Sequence, residues 1–119
     1  MDVALIWVIS PDPDTRRLIG LNLKKRGFGV LEACPQDEPA PSGVEPQLII
    51  LDVDPPGESG WEAAGALRQD SGVQGVPMIL LLPSAPATRR LTPFQPVRWL
   101  EKPLDMDALL ILVRQSLGQ

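Results

Sequence analysis

The chain contains no histidine and a single cysteine, Cys34. These two scarcities remove His- and Cys-based catalysis and zinc centres, so any metal must be a hard cation held by oxygen. One cysteine also excludes an internal disulfide and fits a reducing, cytoplasmic setting. A basic excess is missing too: 11 Lys and Arg stand against 15 Asp and Glu, a net charge of −4. Nothing here argues electrostatically for a nucleic-acid partner, which would want a basic face. Long apolar runs are absent as well. Runs such as residues 78–82 fall far short of the roughly 20 residues a bilayer crossing needs, so no membrane span is expected. The opening Met1-Asp2-Val3 has an acid where a signal peptide carries bases.

What the chain does have is a run of aliphatic residues, Leu48-Ile49-Ile50-Leu51, that stops at Asp52 and is followed by Val53-Asp54-Pro55-Pro56-Gly57. Four apolar residues without polar alternation predict a strand buried on both faces, as in a parallel sheet. The prolines and glycine forbid its continuation. A carboxylate at the carboxyl end of a core strand sits where open α/β sheets place their ligands. Ser59-Gly60-Trp61-Glu62 has the spacing of a capping box, so a helix is expected at once, over 60–69.

The rest of the 119 residues alternates in the same way and reads as one domain, 1–119. Residues 3–9 predict a first strand, and Asp12 and Pro13 suit the N-cap and first position of a helix. That helix carries Thr15, Leu18, Ile19, Asn22 and Leu23 at i, i+3, i+4 spacing, and Lys24, Lys25 and Arg26 close it near Gly27. Further strands are expected at 29–33, 78–82 and 97–101, and a last helix from an Asp105 cap to about Leu117. Residues 35–46 and 83–96 hold four prolines each, so the second and fourth helices should be short or irregular. Strand–helix alternation throughout predicts an α/β fold, a parallel sheet covered on both faces.

Asp52 and Lys102 then meet at the carboxyl edge of the sheet. A carboxylate facing an ammonium suits phosphoryl transfer to the acid, with the lysine stabilising phosphoryl oxygens. The same pair also fits an ion pair that only fixes loop geometry. Pattern alone leaves both open.

Taken together, these stretches resemble the receiver domain of two-component response regulators over essentially the whole chain. Residues 48–52 with Pro56-Gly57-Glu58-Ser59-Gly60 look like its phosphoacceptor strand and loop. Val76-Pro77-Met78-Ile79-Leu80-Leu81 is similar to its fourth strand, Trp99-Leu100-Glu101-Lys102-Pro103-Leu104-Asp105 to its fifth strand and lysine–proline turn, and Asp12-Pro13-Asp14-Thr15-Arg16-Arg17-Leu18 to its first helix. The resemblance implies a flavodoxin-like five-stranded parallel sheet of order 2-1-3-4-5. It also implies Asp52 as candidate phosphoacceptor, Lys102 as its phosphate contact, a cis Lys102–Pro103 bond, and a backbone carbonyl of Asp54 lent to Mg²⁺ beside the Asp52 carboxylate.

Departures from the family pattern are equally specific. Ser10 and Pro11 stand where the family holds an acid pair for Mg²⁺, and Asp12 is better used as an N-cap. Leu82 stands where a Ser or Thr would bond the phosphoryl group, so Trp99, at the switch-aromatic position, has no hydroxyl to follow. The expectation is therefore an atypical, pseudo-receiver-like interaction module in signal transduction, not an enzyme, with no cofactor, and Mg²⁺ only if phosphorylation is retained. Its partner would be a signalling protein, a histidine kinase or downstream target, or a second copy of the chain. The contact face implied by the family joins the fourth helix, fifth strand and fifth helix, here with Arg98 and with Ile111 and Leu112, which fall outside the last helix's apolar stripe. One alternative is a single-domain regulator phosphorylated on Asp52 within a phosphorelay. A further one is a Mg²⁺-dependent phosphatase, since Asp52-Val53-Asp54 matches a D-x-D nucleophile motif, although Pro55-Pro56-Gly57 follows it.

Overall fold

Residues 6, 8, 48, 50, 79 and 81 and residues 7, 9, 49, 51, 80 and 82 are almost all aliphatic, and the two sets project to opposite sides of one sheet. The computed structural model describes residues 3–34, 45–53, 58–69 and 73–118. Its strands are β1 (Leu5–Ile9), β2 (Gly29–Ala33), β3 (Leu48–Asp52), β4 (Met78–Leu82) and β5 (Val97–Glu101). All pair in parallel, in the order β2-β1-β3-β4-β5. β3 and β4 are buried from end to end, which explains their unbroken apolar sequence. The edges, β2 and β5, are half-buried and carry Glu32, Arg98 and Glu101, charges that suit strands with one unpaired side.

Helices α1 (Pro13–Lys25) and α4 (Met106–Ser116) cover one side of the sheet. Ile19 and Leu23 of α1 and Leu109, Leu110 and Val113 of α4 pack there on Ile6, Val8, Leu48, Ile50, Ile79 and Leu81. Helix α2 (Glu58–Gln69) and the short α3 (Thr88–Leu91), continued by a 3₁₀ turn at Thr92–Phe94, lie on the other side. Ala64, Leu91 and Phe94 meet Ile9, Ile49, Leu51, Leu80 and Leu82 there. Each large aliphatic side chain so buried contributes about 1.5–3 kcal/mol relative to exposure. The flavodoxin-like architecture expected from the sequence is the one observed, and α3 has the single turn that its flanking prolines allow. The expected irregular helix at 35–46 falls mainly outside the described residues. α3 and α4 therefore hold the places of the fourth and fifth helices in the sequence-based count.

Local chemistry explains the ends. The Asp12 side chain accepts the Asp14 N–H and the Thr15 hydroxyl, so α1 starts where its cap predicts. The Thr15 hydroxyl, then the Asp14 N–H, hold the Asp12 carboxyl below its ordinary pKa of 3.8. At the other end Gly27 takes φ +90°, a left-handed conformation that favours glycine. Asp105 caps α4 by accepting the N–H groups of Asp107 and Ala108.

Three expectations need correction. Helix α2 begins at Glu58, so Ser59 lies in its first turn instead of capping it. Leu18 is not on the buried face of α1 but 54% exposed. The buried face is centred on Ile19, Gly20 and Leu23, and it is turned toward β2 because Gly20 sits against Val30 and Glu32. Leu112 is half-buried against the α1–α4 side of the core, whereas Ile111 is exposed as expected.

One cation that no periodicity singles out ties α2 to the sheet. Arg68 is 9% exposed, and its guanidinium donates to the carbonyls of Val76 and Phe94 at 2.7 Å, of Pro96 at 3.1 Å and of Val73 at 3.3 Å. Burial pulls its pKa below the ordinary value. Its acceptors lie before β4 and before β5, so one side chain joins three segments. Beside it Trp61 tilts against Phe94 at 5.6 Å between ring centroids, and the Arg90 guanidinium lies 4.6 Å from the Trp61 ring centre.

Candidate functional site

The parallel register pairs Val8 with Ile50 and Ile9 with Leu51. The next residues on the two strands, Ser10 and Asp52, therefore leave the sheet side by side and on the same side. Both are buried: Ser10 is 0% and Asp52 4% exposed. The Ser10 hydroxyl donates to Asp52 Oδ2 at 2.8 Å and accepts the Asp12 N–H at 3.1 Å. On the other oxygen, Oδ1, the Lys102 ammonium closes an ion pair from the turn after β5. That turn is held to β4 by the Lys102 N–H, which donates to the Leu82 carbonyl at 2.8 Å, and its Lys102–Pro103 bond is cis, as expected. Arg16 of α1 fixes the far side: its Nη1 donates to the Ser10 carbonyl at 2.7 Å, and its Nε stands 3.9 Å from Glu32 Oε1.

Sequence reasoning identified Asp52 and Lys102 and noted Ser10 as the loss of an acid. It missed Ser10 as a donor and Arg16 altogether. An aspartate at residue 10 would put a second negative charge beside Asp52, and such pairs resist ionising together. The serine hydroxyl instead supplies a charge-assisted hydrogen bond. Asp52 thus has a donor on one oxygen and a cation on the other.

These donors do not fit Mg²⁺. That ion wants near-octahedral oxygen ligation with one or two carboxylates, while both oxygens of Asp52 are engaged by Ser10 and Lys102. The Asp12 carboxylate is occupied in capping α1, and Pro11 offers no side-chain ligand. Asp54, the other expected metal contact, lies outside the described residues. Among the described residues no three acidic, His or Cys side chains gather as a metal-binding group. Of the two switch positions, Leu82 is 1% exposed and points into the α2–α3 side of the core, away from Asp52. Trp99 is half-buried on that same side. Arg98 is exposed on β5 and, with Val97, lines a shallow cavity against Gln115 and Ser116 of α4.

No family model matches the chain. Over 116 residues it is 27% identical to a DNA-binding dual master transcriptional regulator, RpaA, of Synechocystis sp.. That match takes in 94% of this chain and 48% of the relative, so the chain spans about half the relative's length. It is 31% identical over 115 residues to an uncharacterised 14.6 kDa protein of Leptolyngbya boryana, covering 92% of this chain and 87% of that protein. Among solved structures, the chemotaxis response regulator CheY4 of Vibrio cholerae superposes with a TM-score of 0.83 at 21% identity, over 97% of this chain and 99% of that one. The fold is that of response-regulator receiver domains. In this fold Asp52 lies at the carboxyl edge of the sheet, held by the Ser10 hydroxyl on one oxygen and the Lys102 ammonium on the other.

Proposed function

We propose that this receiver domain is a protein-interaction module in signal transduction that works without phosphorylation, Asp52 serving as a structural lock and not as a phosphoacceptor. The observation that carries this reading is the Ser10 hydroxyl donating to Asp52 Oδ2 at 2.8 Å. Phosphorylation of Asp52 would place a multiply charged group where one ammonium has to balance it, without the cation that phosphoryl transfer ordinarily uses to neutralise developing charge. Leu82 offers no hydroxyl to bond that group. The partner in this reading is a cytoplasmic signalling protein, a kinase or downstream target. It docks on the surface of α3, β5 and α4, where Arg98 is exposed and Leu112 keeps part of its side chain accessible.

A second reading, a single-domain regulator phosphorylated on Asp52 with Mg²⁺, is favoured by one fact, the retained Asp52–Lys102 pair. The D-x-D phosphatase reading draws no support from the described residues, since Asp54 lies outside them. Incubation with a small phosphodonor and Mg²⁺, followed by intact-mass analysis, separates the first two. No phosphoryl adduct supports the lock. A stoichiometric adduct that is absent from Asp52→Asn establishes the phosphoacceptor.

A further inference from the structure

Three large aliphatic side chains stand in water on one side of this domain: Leu18 and Leu21 of α1, 54% and 46% exposed, and Ile111 of α4, 54% exposed. They are not scattered. On α1, whose exposed residues also include Arg17 and Lys24 at the flank, Asp14, Leu18, Leu21 and Lys25 fall at intervals of four, three and four, which is the spacing of a helix–helix seam. On α4 the exposed residues Asp107, Ile111 and Arg114 repeat the intervals of four and three. Each stripe has an acid toward the helix N-terminus, aliphatic residues in the middle and a base toward the C-terminus. α1 and α4 cover the same side of a parallel sheet and are in contact, so they run in the same direction with the two stripes abreast.

We propose that this surface is where a second copy of the chain docks, the two α1–α4 layers packing face to face about a two-fold axis perpendicular to the helices. The charge pattern selects both the partner and the geometry. An isologous contact sets each patch against itself. About the proposed axis α1 lies antiparallel to its counterpart, so Asp14 faces Lys25 of the other copy and the Leu18–Leu21 pairs meet between them. α4 lies antiparallel to its own counterpart in the same operation, and Asp107 faces Arg114 of the other copy across the Ile111 pair. A two-fold axis parallel to the helices would instead set α1 against α4 in parallel, Asp14 against Asp107 and Lys25 near Arg114, which is repulsive at both ends. The pairing goes beyond the proposed function above and does not depend on the state of Asp52. With three aliphatic anchors per copy it is a small interface, of the size that gives weak, reversible association.

Sedimentation velocity over a concentration series reaching the millimolar range tests it, with circular dichroism confirming that each variant is folded. The wild-type chain should show reversible dimerisation. Leu18→Glu should abolish it, and Asp14→Lys or Lys25→Asp alone should each weaken it by roughly tenfold or more, since two attractive pairs become repulsive. An equimolar mixture of the Asp14→Lys and Lys25→Asp chains should recover association. In that mixed dimer the α1 stripe of one chain carries a base at both ends and that of the other an acid at both ends, so every facing pair is again of opposite charge. A wild-type chain that stays monomeric overturns the proposal. So does a dimer indifferent to Leu18→Glu, a mixture that fails to associate, or a dimer broken only by Arg98→Glu on β5.

Discussion

Removing Lys102 should cost far more than removing the charge on Asp52, although the two form one ion pair. The Asp52 side chain is 3% exposed and the Lys102 side chain 29%. In Lys102→Met the apolar stem is preserved, but a buried carboxylate keeps only the Ser10 hydroxyl, and stranding one partner of a buried pair costs about 3 kcal/mol. In Asp52→Asn the amide oxygen still accepts from Ser10, and Lys102 is exposed enough to reach water. The expected loss there is about 1 kcal/mol. The double variant should recover stability relative to Lys102→Met, because the stranded charge is gone, leaving it about 1–2 kcal/mol below wild type. Urea unfolding at neutral pH, followed by tryptophan fluorescence with matched m-values, measures all four corners of this cycle. A pocket under like-charge strain behaves oppositely: Asp52→Asn gains stability there. A stabilised Asp52→Asn, or a Lys102→Met indistinguishable from wild type, would refute the lock.

Ser10→Asp should destabilise the fold by about 2 kcal/mol without metal, since it exchanges a hydrogen bond for a second buried carboxylate, and Mg²⁺ should restore part of that loss. Thermal melts of wild type and variant with and without Mg²⁺ check both halves, with wild type expected to be unresponsive. Arg68→Ala should cost about 3 kcal/mol by urea unfolding, because it removes four hydrogen bonds to carbonyls, of which those of Val73 and Pro96 keep a backbone N–H, and Arg68→Lys should recover only part, lacking the planar fork. Asp12 supplies a pH test. Its folded pKa is depressed, so its contribution is fully present above the ordinary value of 3.8 and fades as pH falls below it through the folded value. The difference in melting temperature between wild type and Asp12→Ala should accordingly be constant near neutrality and shrink in that acidic window.

The central strands were readable because they are buried on both faces, so that β3 and β4 appear as uninterrupted aliphatic runs ending at Asp52 and Leu82. The meeting of Asp52 with Lys102 was readable for a related reason: in a parallel sheet every strand ends at the same edge. The role of Ser10 was not readable. It depends on the register that sets Ile9 beside Leu51, and a one-residue slip would turn the hydroxyl to the other face. Arg68 was hidden because a cation on an amphipathic helix is ordinarily solvated, and its acceptors are backbone carbonyls from distant segments. Leu18 fits the helical period as well as Ile19 does. Only the close approach of Gly20 to β2 decides which of them is buried.

In the proposed lock, Ser10 and Lys102 hold Asp52, which then does not report phosphorylation. The most direct test is a pair of ¹H–¹⁵N correlation spectra of the wild-type chain, recorded with and without Mg²⁺ plus beryllofluoride, a mimic of the phosphoryl group. The lock predicts superimposable spectra, including the amide of Asp52 and the indole of Trp99. Saturable shifts that begin at Asp52, extend through Lys102 to Trp99 and disappear in Asp52→Asn would contradict it.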